Sequence, residues 1–219
     1  MAEASGTYIP GHKAAHIKHH AAAYLLPALD EMRREKRQVQ LLDAGAGPGT
    51  ISASFAERIP DGHVTVTDIS DDVLSKARDH GRSLGLANMS FQTANILQLP
   101  FPDAHFDVTH VHQVLCHLPD PIPAIAEMLR VTRPGGIVAI HEGDLEMWSI
   151  WPESKVLKMW HDMVLKIHNT HGGSTQAGRR LLTWALAAGV KRQSIAVSSA
   201  TYCYSAPDEK EMWRKIPGV

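Results

Sequence analysis

Short apolar runs alternate with helical patterns along the first two thirds of the chain. The runs predict strands at residues 39–43, 64–68, 89–93, 106–112 and 137–141. Between the runs, apolar residues recur every three or four positions, as they do on the inner face of a helix. This alternation predicts an α/β fold, in which a doubly wound, mostly parallel sheet carries helices on both faces.

The rhythm changes after the fifth predicted strand. Amphipathic patterns predict helices at 152–168 and 176–188, with two glycines, Gly172 and Gly173, between them. Residues 194–204 are rich in β-forming side chains and predict a sixth strand.

The N-terminal region differs from the rest of the chain. Residues 13–26 predict a lid helix, which Pro27 must kink or restart. We therefore separate an N-terminal lid, residues 1–37, from a main domain, residues 38–219, with a helical insertion at about 145–173. The lid holds four histidines whose spacing fits either a metal site or the polar face of a helix: His12, His16, His19 and His20. No carboxylate or cysteine completes a ligand set, so we predict no metal.

Composition narrows the possible partners and the compartment. The 22 basic and 23 acidic side chains nearly cancel, whereas nucleic-acid binding needs a clustered positive surface. Cys116 and Cys203 are too few for a disulfide framework and match no zinc spacing. No apolar run reaches membrane-spanning length, and no leader pattern precedes the domain. We expect a cytoplasmic protein with no nucleic-acid partner and no membrane span.

Residues 41–50, LLDAGAGPGT, lead from a predicted strand into a glycine-rich turn and then a helix. Glycine lets a nucleotide-like ligand approach the backbone and permits the unusual dihedral angles of such a turn. Asp43 would repel a pyrophosphate here but suits a positively charged ligand such as S-adenosylmethionine. Asp68 ends the second predicted strand 21 residues after Gly47, where an acid can accept both ribose hydroxyls.

Together with downstream segments, these motifs identify a family. The chain resembles the class I S-adenosylmethionine-dependent methyltransferases, and within them the ubiquinone/menaquinone-biosynthesis type. Besides the glycine turn, the resemblance rests on VTDIS at 66–70, ANILQLPF at 94–101, FDV at 106–108 with HQVL at 112–115, and RVTRPGG at 130–136. It implies a Rossmann-like sheet and S-adenosylmethionine as cofactor.

The resemblance also implies how the methionine half of the cofactor would be bound. Gly45 and Gly47 would let the backbone line the methionine moiety, and Asp43 would face its ammonium group. His112 would lie beside the methionine tail at the end of the fourth strand.

The ribose and adenine would fall to residues at the ends of the next two strands. Asp68 would hold the ribose, with Ile69 among the cofactor-binding residues beside it. The Asn95 side chain and the Ile96 amide would read the adenine edge. For Asp68 and Asn95, simple capping of strand ends is the alternative.

Methyl transfer is an in-line displacement on an activated sulfonium, so the protein mainly positions the acceptor and excludes water. A general base is needed only when the acceptor must lose a proton. His112 and His141 end the fourth and fifth predicted strands and are the candidates, although each alone also fits a packing or capping role.

Aromatic residues after the fifth strand favour a small, lipophilic acceptor. Trp148 and Trp151 fall in a strand-to-helix connection, where binding residues concentrate. Met159, Trp160 and Met163 instead favour an ordinary helix-to-sheet core.

One departure from the family concerns the last strands. The family sheet has seven strands, whereas this chain offers six, with 194–204 as the sixth. Either that run folds back as a hairpin or the sheet lacks its last strand. An exposed sheet edge favours pairing with another chain, which makes a homodimer a candidate.

Three functions stay open at this point. The first is a small-molecule methyltransferase, and the second is a cofactor-binding but non-catalytic regulator or partner subunit. The third, a nicotinamide-dependent oxidoreductase, is disfavoured by Asp43 and by the spacing of the glycines.

Overall fold

The computed structural model describes residues 22–35 and 38–201. Its centre is a five-stranded sheet in the order β3-β2-β1-β4-β5, with every neighbouring pair parallel. The strands are β1 Gln40–Ala44, β2 His63–Asp68, β3 Met89–Thr93, β4 Phe106–His112 and β5 Thr132–His141. The predicted α/β architecture with a Rossmann-like, doubly wound sheet is confirmed.

The described ranges contain six α-helices, most of which cover the two faces of this sheet. They are α1 Leu26–Glu35, α2 Thr50–Arg58, α3 Asp71–Ser83, α4 Ile122–Val131, α5 Lys155–Thr170 and α6 Ala177–Ala187. One buried apolar cluster joins α1, α2 and α3 to the sheet through Leu29, Phe55 and Leu74. A second cluster joins α4 and α6 to it through Met128 and Trp184.

The strand order reverses between β1 and β4, and each of these strands is the first of its half of the sheet. In a doubly wound sheet the connections leave this point in opposite directions, which opens a crevice beyond the carboxyl ends of the strands. The glycine-rich turn after β1 and the histidines at the ends of β4 and β5 lie at this edge.

The start of β5 corrects one prediction. The sequence predicts a turn before a strand at 137–141, but the strand begins at Thr132. Phe106 pairs with Thr132 while Val108 pairs with Ile137, so the extra residues of β5 form a bulge. Gly135 has a φ of 79° within that bulge, because the backbone must turn sharply without leaving the sheet.

The predicted sixth strand is wrong for the part of the run that the structure describes. Arg192–Ser194 is a single 3₁₀ turn, and residues 195–201 form no regular element. Residues 202–204 lie outside the described ranges. The sheet therefore has five strands within the described ranges.

The N-terminal predictions fall mostly outside the described residues. Residues 13–21 and the four lid histidines are among them, as is Cys203. Residues 22–25 form turns, and Pro27 lies in the first turn of α1, which begins at Leu26.

Helix α5 lies apart from both cores. Ser154 caps it, since its hydroxyl accepts a hydrogen bond from the Leu157 N–H at 3.4 Å. None of its residues is buried. In the described part of the chain, no helix combines the length and the apolar character needed to cross a bilayer.

Candidate active site

The turn after β1 depends on three glycines with left-handed backbones. Gly45, Gly47 and Gly49 have φ values of 65°, 59° and 74°. A Cβ on Gly45 would lie 2.5 Å from a methyl group of Val114, and one on Gly49 would lie 2.7 Å from the Cβ of Ala77. Side chains are excluded by both conformation and space, which leaves main-chain groups to form this cradle.

Asp68 joins this turn to the end of β2. One oxygen of its carboxylate accepts a hydrogen bond from the Gly47 N–H at 3.0 Å. The other accepts from the Ser70 N–H at 3.1 Å, at the N-terminus of α3. The residue predicted to hold the ribose is thus in direct contact with a residue predicted to line the methionine moiety.

Asp43 is buried beneath the turn, with 2% of its surface exposed. Its Oδ1 accepts a hydrogen bond from His110 Nδ1 at 2.8 Å, and its Oδ2 accepts from the Ser52 hydroxyl at 2.5 Å. In this structure Asp43 supports the turn from below, and its predicted role toward an ammonium group stays a prediction.

The histidines at the ends of β4 and β5 form a stacked column. The rings of His112 and His141 lie 4.5 Å apart and nearly parallel, at 7°. His110 continues the column on one side at 6.3 Å, and Tyr24 continues it on the other at 6.1 Å. The parallel register sets His112 directly opposite His141, which explains why residues distant in sequence meet here.

His141 stays neutral more readily than an ordinary histidine. Burial lowers its pKa, and the nearby imidazole of His110 lowers that pKa further. A neutral imidazole keeps a lone pair on one nitrogen, and this lone pair can accept a hydrogen bond or a proton.

Three further candidate residues lie at this edge of the sheet: Asn95 and Ile96 follow β3, and Ile69 follows β2. Asn95 is exposed, and its side-chain oxygen accepts a hydrogen bond from the Leu97 N–H at 2.9 Å. Ile96 is buried, whereas Ile69, directly after Asp68, is 73% exposed. A large apolar side chain so exposed beside a polar cradle is available to cover a flat ligand.

Sequence reasoning missed the residues that fix the segment after β3. Glu127 accepts a hydrogen bond from the Leu99 N–H at 2.8 Å. Arg130 donates to the carbonyls of Leu99 and Phe101 at 2.9 and 2.8 Å. Both side chains lie on α4, and neither a motif nor periodicity indicates that they bond to a segment so distant in sequence.

Glu142 is a second residue whose position the sequence did not reveal. It is buried just past β5, and its Oε1 accepts hydrogen bonds from the Val114 and Leu115 N–H groups at 2.9 and 2.7 Å. Burial raises its pKa to about 6, although bonds from the Cys116 thiol and from backbone N–H groups oppose the rise. Glu142 thereby holds the loop after β4, whose Val114 lies against the glycine turn.

The backbone of that loop is itself unusual. Gln113 has a φ of 54°, in the left-handed region that non-glycine residues avoid. Its N–H donates to the carbonyl of His141 at 2.9 Å, which ties the strained residue to the end of β5. Strain of this kind concentrates at functional sites.

The aromatic and methionine side chains after β5 lie largely outside the core. Trp151 is 87% exposed, and Trp148 stacks on His161 with ring centres 5.4 Å apart. Met159 and Met163 were expected in a helix-to-sheet core, but both are largely exposed on α5. That expectation is wrong because α5 lies off the sheet instead of against it.

A cavity of about 390 Å³ lies at the opposite edge of the sheet. Arg33, Arg34 and Asp61 line it, where β1 and β2 begin. Ligands of open parallel sheets bind at the carboxyl ends of the strands, so this cavity is not the candidate site.

Comparisons with known proteins agree with this geometry. A family model described as a methyltransferase domain matches residues 35–189. An uncharacterised methyltransferase of Schizosaccharomyces pombe is 37% identical over 187 residues, covering 81% of this chain and 66% of that protein. A ubiquinone/menaquinone biosynthesis C-methyltransferase of Shewanella halifaxensis is 40% identical over 106 residues, covering 48% of this chain and 42% of that protein.

A solved structure from Bacillus halodurans, assigned to the methyltransferases, has a TM-score of 0.58 at 22% identity. The match covers 75% of this chain and 68% of the chain in that structure, and the likeness concerns the fold alone. The chain spans about 66% of the yeast relative and 42% of the bacterial one.

Proposed function

The chain belongs to the S-adenosylmethionine-dependent methyltransferases, and on that premise we propose that it methylates a small, lipophilic molecule by in-line transfer. One arrangement carries the proposal: the cradle of left-handed glycines, bonded to Asp68, faces the same edge as the stacked histidines. The cradle suits the cofactor, and the histidines suit an acceptor beside it.

The residues of the cradle fit the cofactor that the family uses. Gly45 and Gly47 offer main-chain groups without side chains to obstruct a ligand. Asp68 is half-buried, and a carboxylate can accept further hydrogen bonds from ribose hydroxyls beside those that it already receives. Asn95 offers a polar group, and the exposed Ile69 an apolar face, on the adenine side.

When bound, S-adenosylmethionine supplies a methyl group on a positively charged sulfur, which makes that group electrophilic. The protein's own part is to orient the acceptor, exclude water and, where necessary, take up a proton. We assign the last task to His141 and His112, because burial favours the neutral form of His141 and its ring lies against that of His112. An acceptor that loses a proton, such as a phenol or an enol-like carbon, would use them.

The lipophilic character of the acceptor is inferred from the segment that follows β5. Met147, Trp148 and Trp151 present apolar surface in this connection, and all three are exposed. Exposed tryptophans in the connection that follows β5 give a ligand apolar surface to cover.

Calorimetry with S-adenosylhomocysteine tests the cofactor half of the proposal. We expect Asp68→Asn to weaken binding by at least about tenfold, because it removes a charged acceptor from the ribose side. Asp72→Asn, an exposed acid in the first turn of α3, is the matched control and should bind like the wild type. Equal binding by Asp68→Asn and the wild type would contradict the proposed site.

Turnover assays with labelled cofactor test the chemistry. The acceptors are alkyl-substituted phenols and hydroquinones, compared with hydrophilic amines and carboxylates. At saturating cofactor, we expect His112→Asn or His141→Asn to lower turnover by about a hundredfold on the phenolic acceptors. His105→Gln, an exposed histidine before β4, should leave it unchanged.

Two outcomes would contradict parts of the proposal separately. Unchanged turnover in both histidine variants would remove them from the chemistry. Tight cofactor binding without methyl release to any acceptor would favour the non-catalytic regulator.

A further inference from the structure

Three metal-ligating side chains meet beside the candidate site. Cys116 and His117 lie in the 3₁₀ turn Leu115–His117 that follows β4, and His168 lies in the last turn of α5. One ligand atom from each residue lies within 4.8 Å of those of the other two. The sequence gives no sign of this cluster, because 52 residues separate Cys116 from His168 and only the fold brings them together.

The backbone around the cluster already fixes these residues. The Nε2 of His168 bonds to the carbonyl of Cys116 at 2.8 Å, and the Ser174 N–H donates to that same carbonyl at 2.8 Å. A Cβ on Gly173 would lie 2.6 Å from the Cys116 carbonyl oxygen and 2.7 Å from the His168 Nε2. Such a close approach needs glycine, so the chain is packed tightly against the cluster on this side.

We propose that Cys116, His117 and His168 bind a zinc-class divalent cation. One thiolate and two imidazoles form a borderline-soft ligand set, of the kind that Zn²⁺ prefers. With bonds of about 2.0–2.3 Å, ligand atoms around a tetrahedral zinc lie about 3.3–3.7 Å apart. Ligand atoms within 4.8 Å of one another would therefore need to approach by at most about 1.5 Å to bind the ion together.

The surroundings supply the remaining requirements of the site. His117 is exposed, so water can enter and occupy the fourth position. Glu142, buried just past β5, bonds to the Cys116 thiol on the inner side of the cluster.

The cation would give α5 an attachment that its packing does not provide. This helix buries none of its residues, and its described links to the body include the bond from His161 to the Leu145 carbonyl and the one from His168. Coordination through His168 ties the last turn of α5 to the loop after β4. That loop touches the glycine turn through Val114, so occupancy of the cation site would also steady the edge of the candidate active site.

Cobalt titration of the chelator-treated full-length protein tests this inference, because a thiolate bound to Co²⁺ gives a charge-transfer band that histidines alone do not. We expect one equivalent of Co²⁺ to produce the band and one of Zn²⁺ to remove it. Cys116→Ser should abolish the band, and His117→Gln or His168→Gln should weaken Zn²⁺ binding by at least about tenfold.

Two controls separate this cluster from other ligands in the chain. His171→Gln changes an exposed histidine one turn beyond His168 and should retain the wild-type band. Cys203→Ser removes the other thiol and should also retain it. A band that survives in Cys116→Ser, or that never forms in the wild type, would overturn the proposal.

Limited proteolysis of the wild type gives a readout that needs no variant. We expect Zn²⁺, compared with Mg²⁺, to slow cleavage within α5 at least about threefold relative to cleavage elsewhere. Equal cleavage with the two ions would show that the helix gains no attachment and would contradict the proposed coordination by His168. Neither experiment depends on methyl transfer, so the cation site can fail while the proposed function holds.

Discussion

The carboxylate of Asp43 is bonded on both oxygens within a buried environment, to His110 and to Ser52. These partners come from β4 and α2, so one acid ties together the strand that carries the histidine column and the helix that follows the glycine turn. Sequence reasoning assigned the acid to the ligand, and the structure assigns both of its oxygens to internal bonds.

Replacing this acid should therefore lower stability. We expect Asp43→Asn to reduce the free energy of unfolding by about 1–3 kcal/mol, because the amide cannot accept from both partners at once. Ser52→Ala removes one of the two bonds and should cost less, about 1 kcal/mol. Urea unfolding measures both, and a loss in Asp43→Asn no larger than that in Ser52→Ala would contradict the shared support.

The half-buried imidazole of His141 makes stability depend on pH. Its pKa is lowered from 6.5 in the folded protein, so the unfolded chain binds more protons as pH falls below 6.5. The contribution of His141 is present above pH 6.5 and is lost progressively as pH falls through the lower, folded pKa. Glu142 acts in the opposite sense, since its pKa of about 6 favours the folded state below 4.5 and this gain is lost as pH rises through 6.

A comparison of His141→Asn with the wild type isolates the histidine. We expect the variant to lose less stability than the wild type between pH 7 and pH 5, measured by urea unfolding at each pH. The exposed His105→Gln is the control and should follow the wild-type profile. Parallel profiles for His141→Asn and the wild type would show that the burial of this ring has no energetic consequence.

At the scale of the element, the glycine-rich turn combines conformational strain with lack of space. Gly49 has a φ of 74° and meets Ala77 of α3, whereas Gly85 has a similar φ of 69° with nothing near a Cβ. The two glycines therefore form a matched pair. A substitution at Gly85 measures the cost of backbone strain alone, and one at Gly49 measures strain together with steric overlap.

We expect Gly85→Ala to lower the free energy of unfolding by about 1–2 kcal/mol, the cost of a left-handed alanine. Gly49→Ala should lower it by about 1–3 kcal/mol more, because α2 and α3 must separate to admit the methyl group. The same variant should weaken binding of S-adenosylhomocysteine, whereas Gly85→Ala should not. Equal stability losses in the two variants would mean that the space between α2 and α3 adjusts freely.

At the scale of the whole molecule, the sheet was predictable because its signals are local. Each buried strand is a short apolar run with a turn after it. The histidine column was partly predictable, since His110 and His112 lie two apart on one strand and so share a face. Its continuation to His141 depends on the register of β4 with β5, which no local pattern encodes.

The errors share a physical cause. The β-rich run at 194–204 satisfies strand propensity, but a strand also needs a neighbour, and propensity does not reveal whether one is available. Met159 and Met163 satisfy helical periodicity, but periodicity identifies an apolar face without identifying what covers it. The cluster at Cys116 was missed for the same reason, because its third member arrives from another element.

The outer edge of β5 leads to a prediction about assembly. Within the described residues, β5 pairs with β4 and has no partner on its other side, although it is ten residues long. A long open edge favours pairing with another chain, and a second copy of this protein supplies an identical edge related by a two-fold axis.

We expect hydrogen exchange at the outward-facing amides of β5 to slow as protein concentration rises. The five-residue edge strand β3 is the internal control, and its exchange should not change. Concentration-independent exchange in both strands, with sedimentation at the 24.0 kDa mass of one chain throughout, would show that the edge stays open in solution.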